Sequence, residues 1–176
     1  QQGWNPFCLD YSVYLSKWID FDMEYLLCCT QPISGGHGVA EMLVLRAWLP
    51  VRPGMLYAIW LNSGGHSEFT GSPAVIDARV DGEFSTLNGY VTGITTELIP
   101  GRRIVQAWRT RDFPEDAPDS RLELLLDAYT GGTVLTVVHR GLPPEHLDDC
   151  RVMWEELFLQ PLKDYLEWAV DAEAMH

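Results

Sequence analysis

A chain of 176 residues, 47% of them apolar, can bury one full core and has the balance of a globular domain. Its 25 acidic against 12 basic side chains leave a formal net charge of -13, which sets the exterior against phosphate backbones and anionic membranes and excludes nucleic acid as an expected partner. No apolar run approaches the roughly 20 residues of a membrane span, and residues 1–30 lack the basic start and apolar run of a signal peptide, so a cytosolic protein is expected.

Residues 1–40 read as an extension distinct from the remainder. Trp4, Phe7, Tyr11, Tyr14, Trp18, Phe21 and Tyr25 recur every three or four residues, which predicts a short amphipathic helix or helix pair between about residues 9 and 29. The run Ser34 to Gly38 is glycine-rich and lacks the Lys-Ser or Lys-Thr ending of a phosphate loop, so it reads as a linker. One domain is then expected over residues 41–176. The four cysteines, with Cys28 and Cys29 adjacent and Cys8 and Cys150 alone, have no paired spacing that closes a zinc site.

From Met42 to Leu49 the chain is apolar on both sides of a strand, which predicts a buried first strand ending at Pro50. Pro53 opens a short helix, Gly54 to Leu61, with Met55, Leu56, Ile59 and Trp60 on one face, and Asn62 to Gly65 stops it. His66 falls in a loop. Strand-like runs follow at 74–80, 84–88, 90–98, 103–110, 122–129 and 133–139, separated by Asp81-Gly82, Gly89, Pro100-Gly101 and Gly131-Gly132, with a proline- and acid-rich loop at 113–120. These make about six strands in one meander. After Pro143-Pro144 the period changes to helical: Val152, Trp154, Leu157, Phe158, Leu162, Tyr165, Leu166 and Ala169 mark a long amphipathic helix, kinked or loosened at Pro161. A curved antiparallel sheet wrapped around that helix buries its stripe, an α+β arrangement.

Several stretches in that order make the pattern more specific. They are His66 to Ala78; Gly82-Glu83-Phe84 with Asn88-Gly89-Tyr90 and Gly93; Glu97 to Arg109; Gly132 to His139; Gly141 to Pro144; and Trp154 with Pro161 to Leu166. Together they resemble the family of activators of the heat-shock protein 90 ATPase, specifically its C-terminal domain, within the SRPBCC superfamily. The resemblance implies a helix-grip fold (START-like, birch-pollen-allergen-like) and a space between sheet and helix used by superfamily members as a cavity for apolar molecules. Residues 1–40 do not resemble the activators' separate N-terminal domain.

Period two places Phe84, Thr86, Asn88 and Tyr90 on one side of their strand, as it does Ile104, Gln106 and Trp108, then Leu122, Leu124 and Leu126, then Leu135, Val137 and His139. With the helix residues Trp154, Phe158 and Tyr165, the candidates for a ligand cavity are Phe84, Asn88, Tyr90, Gln106, Trp108, Leu124, Val137, His139, Trp154, Phe158 and Tyr165. A ligand pocket and a filled core share this composition. No two of the five histidines have metal-pair spacing and no nucleophile-elbow motif occurs, so no metal, cofactor or catalytic set is expected. Arg103 and Arg109 should point away from the inner face and pair with acids on neighbouring strands. Three functions follow: binding or carriage of a small apolar ligand first, a chaperone-interacting module like the activators second, and a cavity-based cyclase or hydrolase using His66, His139 or Tyr90 third. Self-association through the aromatic extension is a further partner expectation.

Overall fold

The computed structural model describes residues 41–174, so the aromatic stripe, the linker and the extension expected before residue 41 lie outside the described residues. Seven strands form one antiparallel sheet: β1 (Glu41–Leu49), β2 (Val75–Ile76), β3 (Glu83–Thr86), β4 (Val91–Ile99), β5 (Arg103–Thr110), β6 (Ser120–Tyr129) and β7 (Gly132–Leu142). Their order in the sheet is β1-β7-β6-β5-β4-β3-β2. The predicted six-strand meander is thus β2 to β7, and β1 returns to lie beside β7. Among the described residues the first strand is therefore an edge, with Leu43, Leu45, Ala47 and Leu49 buried and Met42, Val44, Arg46 and Trp48 half-exposed.

The register aligns one inner-face row across five strands. Leu43 pairs with His139, His139 with Leu122, Leu122 with Gln106 and Gln106 with Thr95. All five are buried. Between Thr95 and Glu97 the β4 register shifts by one residue, a bulge that bends the strand and helps the sheet curl. Gly93 sits opposite both Trp108 and Phe84. A Cβ there would lie 2.6 Å from Phe84 Cζ, so the absent side chain is what lets that ring cover the strand.

Two short helices, α1 (Pro53–Leu61) and α2 (Ser63–Thr70), cross from β1 to the far edge. Pro53 stands in the first turn of α1, where its missing N–H is an unpaired group in any case. Asn62 ends α1, as expected, but it also caps α2: its side chain accepts the Gly65 N–H at 2.9 Å. The glycines that read as a stop follow a strong cap, and His66 consequently lies in a helix rather than a loop. Strand β2 is also shorter than the expected run to Val80, because the chain turns through Asp81, with φ of 62°. Gly82 N–H donates to Arg79 and Asp81 N–H to Thr95 across the loop.

The C-terminal helix is continuous through three segments: α3 (Leu147–Met153), a wide π turn at Trp154–Leu159, and α4 (Gln160–Ala174). Pro161 has no N–H, and in a regular helix its ring would clash with the carbonyl four residues back, which falls inside that turn. There the Gln160 N–H donates to Glu155, five residues back, so the predicted loosening at Pro161 takes the form of an inserted residue rather than a sharp kink. Cys150, Trp154, Phe158, Leu162 and Leu166 are all buried at four-residue intervals. On a regular α-helix four residues overshoot a full circle by about 40°, and the wide turn takes back part of that drift. The helix consequently keeps one buried face against the concave sheet, the helix-grip arrangement.

Candidate functional site

The inner face of the sheet and the buried face of the helix meet at His139, which is fully buried. Trp154 Nε1–H donates to His139 Nδ1 at 3.1 Å, and the indole can only donate, so Nδ1 carries no proton. The proton of the neutral ring is therefore on Nε2, which lies 2.7 Å from Ser120 Oγ; that hydroxyl in turn donates to the Trp108 carbonyl at 2.6 Å. Every donor in this chain has an acceptor. Burial depresses His139 to about 3, which holds the imidazole neutral. His139 and Ser120 do not form a base–nucleophile pair: the nitrogen facing the hydroxyl is the one that donates.

Around this chain the rings are in mutual contact. Trp108 stacks on Trp154 at 6.1 Å between centroids, and Trp154 stacks on Trp60 of α1 at 6.0 Å and 10°. Phe158 lies 4.9 Å from Trp154, and His139 is edge-on to Trp108 at 4.6 Å. Such offset and edge-to-face pairs each add about 0.5–1.5 kcal/mol beyond area burial. Where a ligand space is expected, Trp108 and Trp154 stack directly on each other. Gln106, Leu124 and Val137 complete the floor, with the Gln106 amide donating to Thr95 Oγ1 at 3.3 Å.

His66 closes the far side of the cluster, 4.9 Å from Trp60 and 4.6 Å from Phe69. Its Nδ1–H donates to the Trp60 carbonyl at 2.9 Å, leaving Nε2 buried and without a partner among the described residues. Burial is the larger influence and lowers its pKa to about 4, against the opposing effect of that bond. Trp60 is the interior residue that the sequence reading omits from its candidates. Its signal is local, an apolar helix face against a sheet of unknown curvature, and Met55 on the same predicted face is in fact exposed.

The remaining candidates lie apart from the stack. Phe84 is buried near the sheet edge over Gly93, and Asn88 is exposed in a tight turn with φ of 55°, which takes it off the inner face. That turn also re-aims Tyr90, which sits half-buried at one end of the domain with its hydroxyl 2.6 Å from Asp112 Oδ2. Burial first, and the Asp112 bond second, push the Tyr90 hydroxyl up to about 12. Tyr165 is half-buried at α4, bonded through its hydroxyl to Glu68 of α2 at 2.9 Å. Thus Trp108, His139, Trp154 and Phe158 come together in one packed cluster, while Asn88, Tyr90 and Tyr165 serve turns and helix docking.

Of the two outward arginines, Arg103 pairs with acids on neighbouring strands as predicted, whereas Arg109 pairs with a loop. Arg103 Nη1 donates to Glu97 at 2.8 Å and its Nε lies 2.8 Å from Glu123, on the flanking strands. Arg109 holds the 111–119 loop, donating to the Ala117 carbonyl at 2.7 Å and Asp119 at 3.2 Å. Among the described residues no group of three or more His, Cys, Asp or Glu could hold a metal ion, and no helix is long and apolar enough to cross a membrane.

This architecture can be placed among known proteins. The crystal structure of an HSP90 activator from Plasmodium falciparum has a similar fold, with a TM-score of 0.66, 24% identity and coverage of 72% of this chain and 96% of that one. The solution structure of the Aha1 dimer from Colwellia psychrerythraea superposes with a TM-score of 0.62 at 20% identity, over the same shares of the two chains. Both show the shared fold. In sequence, mouse activator of 90 kDa heat shock protein ATPase homolog 2 is 30% identical over 112 residues, 64% of this chain and 34% of that protein. Human homolog 1 is 27% identical over 121 residues, 69% of this chain and 36% of its own length. The chain therefore spans about a third of these relatives. The family model described as Activator of Hsp90 ATPase homolog 1-like protein matches residues 50–167, which run from α1 to the first half of α4 and include six of the seven strands. The chain belongs to the Activator of Hsp90 ATPase homolog 1-like family, with the helix-grip fold of the SRPBCC superfamily.

Proposed function

We propose that this domain works through its exterior, as a module that contacts a chaperone ATPase of the 90 kDa heat-shock class. The observation that carries this reading is the family match over residues 50–167, whose curated relatives are named as activators of that ATPase. The interior supports it. Carriage of an apolar molecule between sheet and helix would require Trp108 and Trp154 to part and Trp154 Nε1–H to leave His139. Unmaking a buried hydrogen bond alone costs about 1–3 kcal/mol, before any loss of ring packing. A cyclase or hydrolase using His139 as a base conflicts with the proton already placed on the nitrogen that faces Ser120.

The test is ATP turnover by the 90 kDa-class chaperone of the same organism, titrated with the full chain. The expected result is a saturable rise in turnover and co-sedimentation of the two proteins. Unchanged turnover with no co-sedimentation at saturating chain removes the reading.

A further inference from the structure

Alternation turns one side of β1 and β7 away from the C-terminal helix, onto the convex face of the sheet. A sheet face in water carries mainly polar side chains, yet on this face Val44 is paired with Val138 and Trp48 with Val134. Met42 follows on the same side of β1, and Leu125 of β6 lies beside Thr136 of β7. Val138 is 9% and Thr136 6% exposed although both point outward. The described helices gather on the opposite, concave side, through Trp60, Phe69 and Phe158. Next to this apolar strip Arg140 stands directly opposite Arg121 in the register, and like charges so placed repel. Among the described residues Arg140 has no ion-pair partner, and Arg121 reaches only Glu123, at 3.9 Å. That carboxylate is already held by Arg103 at 2.8 Å. An apolar strip bordered by two arginines, in a chain of net charge -13, fits an occupant that is both apolar and acidic.

We propose that this convex face is the docking surface for the chain's own aromatic segment, residues 4–29. The sequence of that segment has both properties: an aromatic stripe from Trp4 to Tyr25, and the acids Asp20, Asp22 and Glu24 within five residues. Residues 1–40 hold four acids, Asp10, Asp20, Asp22 and Glu24, against Lys17. The rings cover Val44, Val134 and Val138, and the acids face Arg121 and Arg140 in charge-assisted bonds. Residues 30–40 join the segment to β1, and eleven residues at about 3.3 Å each reach about 36 Å. The distance from β1 across β7 and β6 to β5 is only about 15 Å at the usual strand spacing. A tether of that length holds its segment at a millimolar effective concentration, which a second copy in dilute solution lacks. The docking goes beyond the chaperone reading and does not depend on it.

The experiment is NMR of the full chain with labelled valine methyls and protonated phenylalanine rings in a deuterated background. Phe7 and Phe21 are the phenylalanines ahead of residue 41, and Phe69, Phe84, Phe113 and Phe158 are buried in the domain. We expect cross-peaks from phenylalanine rings to the Val44 and Val138 methyls that do not depend on concentration and vanish in Phe7→Leu with Phe21→Leu. Arg121 and Arg140 are exposed, so Arg121→Glu with Arg140→Glu should keep the fold and lose most of the cross-peak intensity. Adding Asp20→Arg, Asp22→Arg and Glu24→Arg should bring it back. Cross-peaks absent from the folded parent, or intensity unchanged by the arginine reversal or not returned by the compensating one, overturn the proposal. So do cross-peaks found only between differently labelled copies, which make a second copy the occupant, or only after the 90 kDa-class chaperone is added.

Discussion

His139 and His66 are neutral at the centre of the domain, and the cost of that neutrality depends on pH. Each has a folded pKa, about 3 and about 4, below its ordinary value of 6.5. The unfolded chain consequently takes up a proton first as pH falls. Their contribution is whole above about pH 6.5 and is lost as the pH drops through 6.5 toward the folded values, at up to about 1.4 kcal/mol per pH unit for each histidine. We expect His139→Leu to lose about 2–3 kcal/mol at pH 7, because Trp154 Nε1–H and Ser120 lose their partner. The same variant should lose about 2 kcal/mol less than the parent on going from pH 7 to pH 5. Denaturant unfolding of both proteins at the two pH values measures this, and parallel acid losses would contradict the buried neutral ring. In the sequence, the parity of Leu135, Val137 and His139 was enough to place this side chain inward, but its tautomer needed the position of Trp154, 15 residues further on in another element.

The helix and sheet owe their fit to two local irregularities, the bulge in β4 and the wide turn before Pro161. The proline was legible as a loosening; the extra residue was not, although five buried positions at strict four-residue spacing carried the signal. If the wide turn makes room for the proline ring, the two are coupled. Deleting exposed Glu156 should restore a regular turn and drive the Pro161 ring against a carbonyl, costing about 3 kcal/mol. Pro161→Ala added to that deletion should recover at least 1 kcal/mol or so, well above the deviation expected of independent sites. A double-mutant cycle by chemical denaturation decides it, and additive effects would separate the turn from the proline. Strand pairing was read more fully: the inner-face parity of β5, β6 and β7 followed from alternation, although Val105, Thr136 and Val138 on the opposite parity are buried too. Around Asn88 and Tyr90 the alternation failed, since three consecutive residues with positive φ break the period between β3 and β4.

At the scale of the whole molecule, the order of elements and the motifs from His66 to Leu166 were sufficient for the fold, because a single amphipathic helix has only the concave sheet in which to bury its face. Whether that burial leaves a ligand space was not legible. The same apolar and aromatic residues line a pocket or fill a core, and Trp60, which stacks on Trp154, comes from a short helix whose docking depends on sheet curvature. The stacking of Trp60, Trp154 and Trp108 supports the central proposal that the domain acts through its exterior rather than by carrying a molecule between sheet and helix. Native mass spectrometry of the freshly purified chain tests that claim most directly. The account predicts the mass of the polypeptide alone under conditions that preserve non-covalent complexes; a stoichiometric lipid-like adduct, released on unfolding, would contradict it.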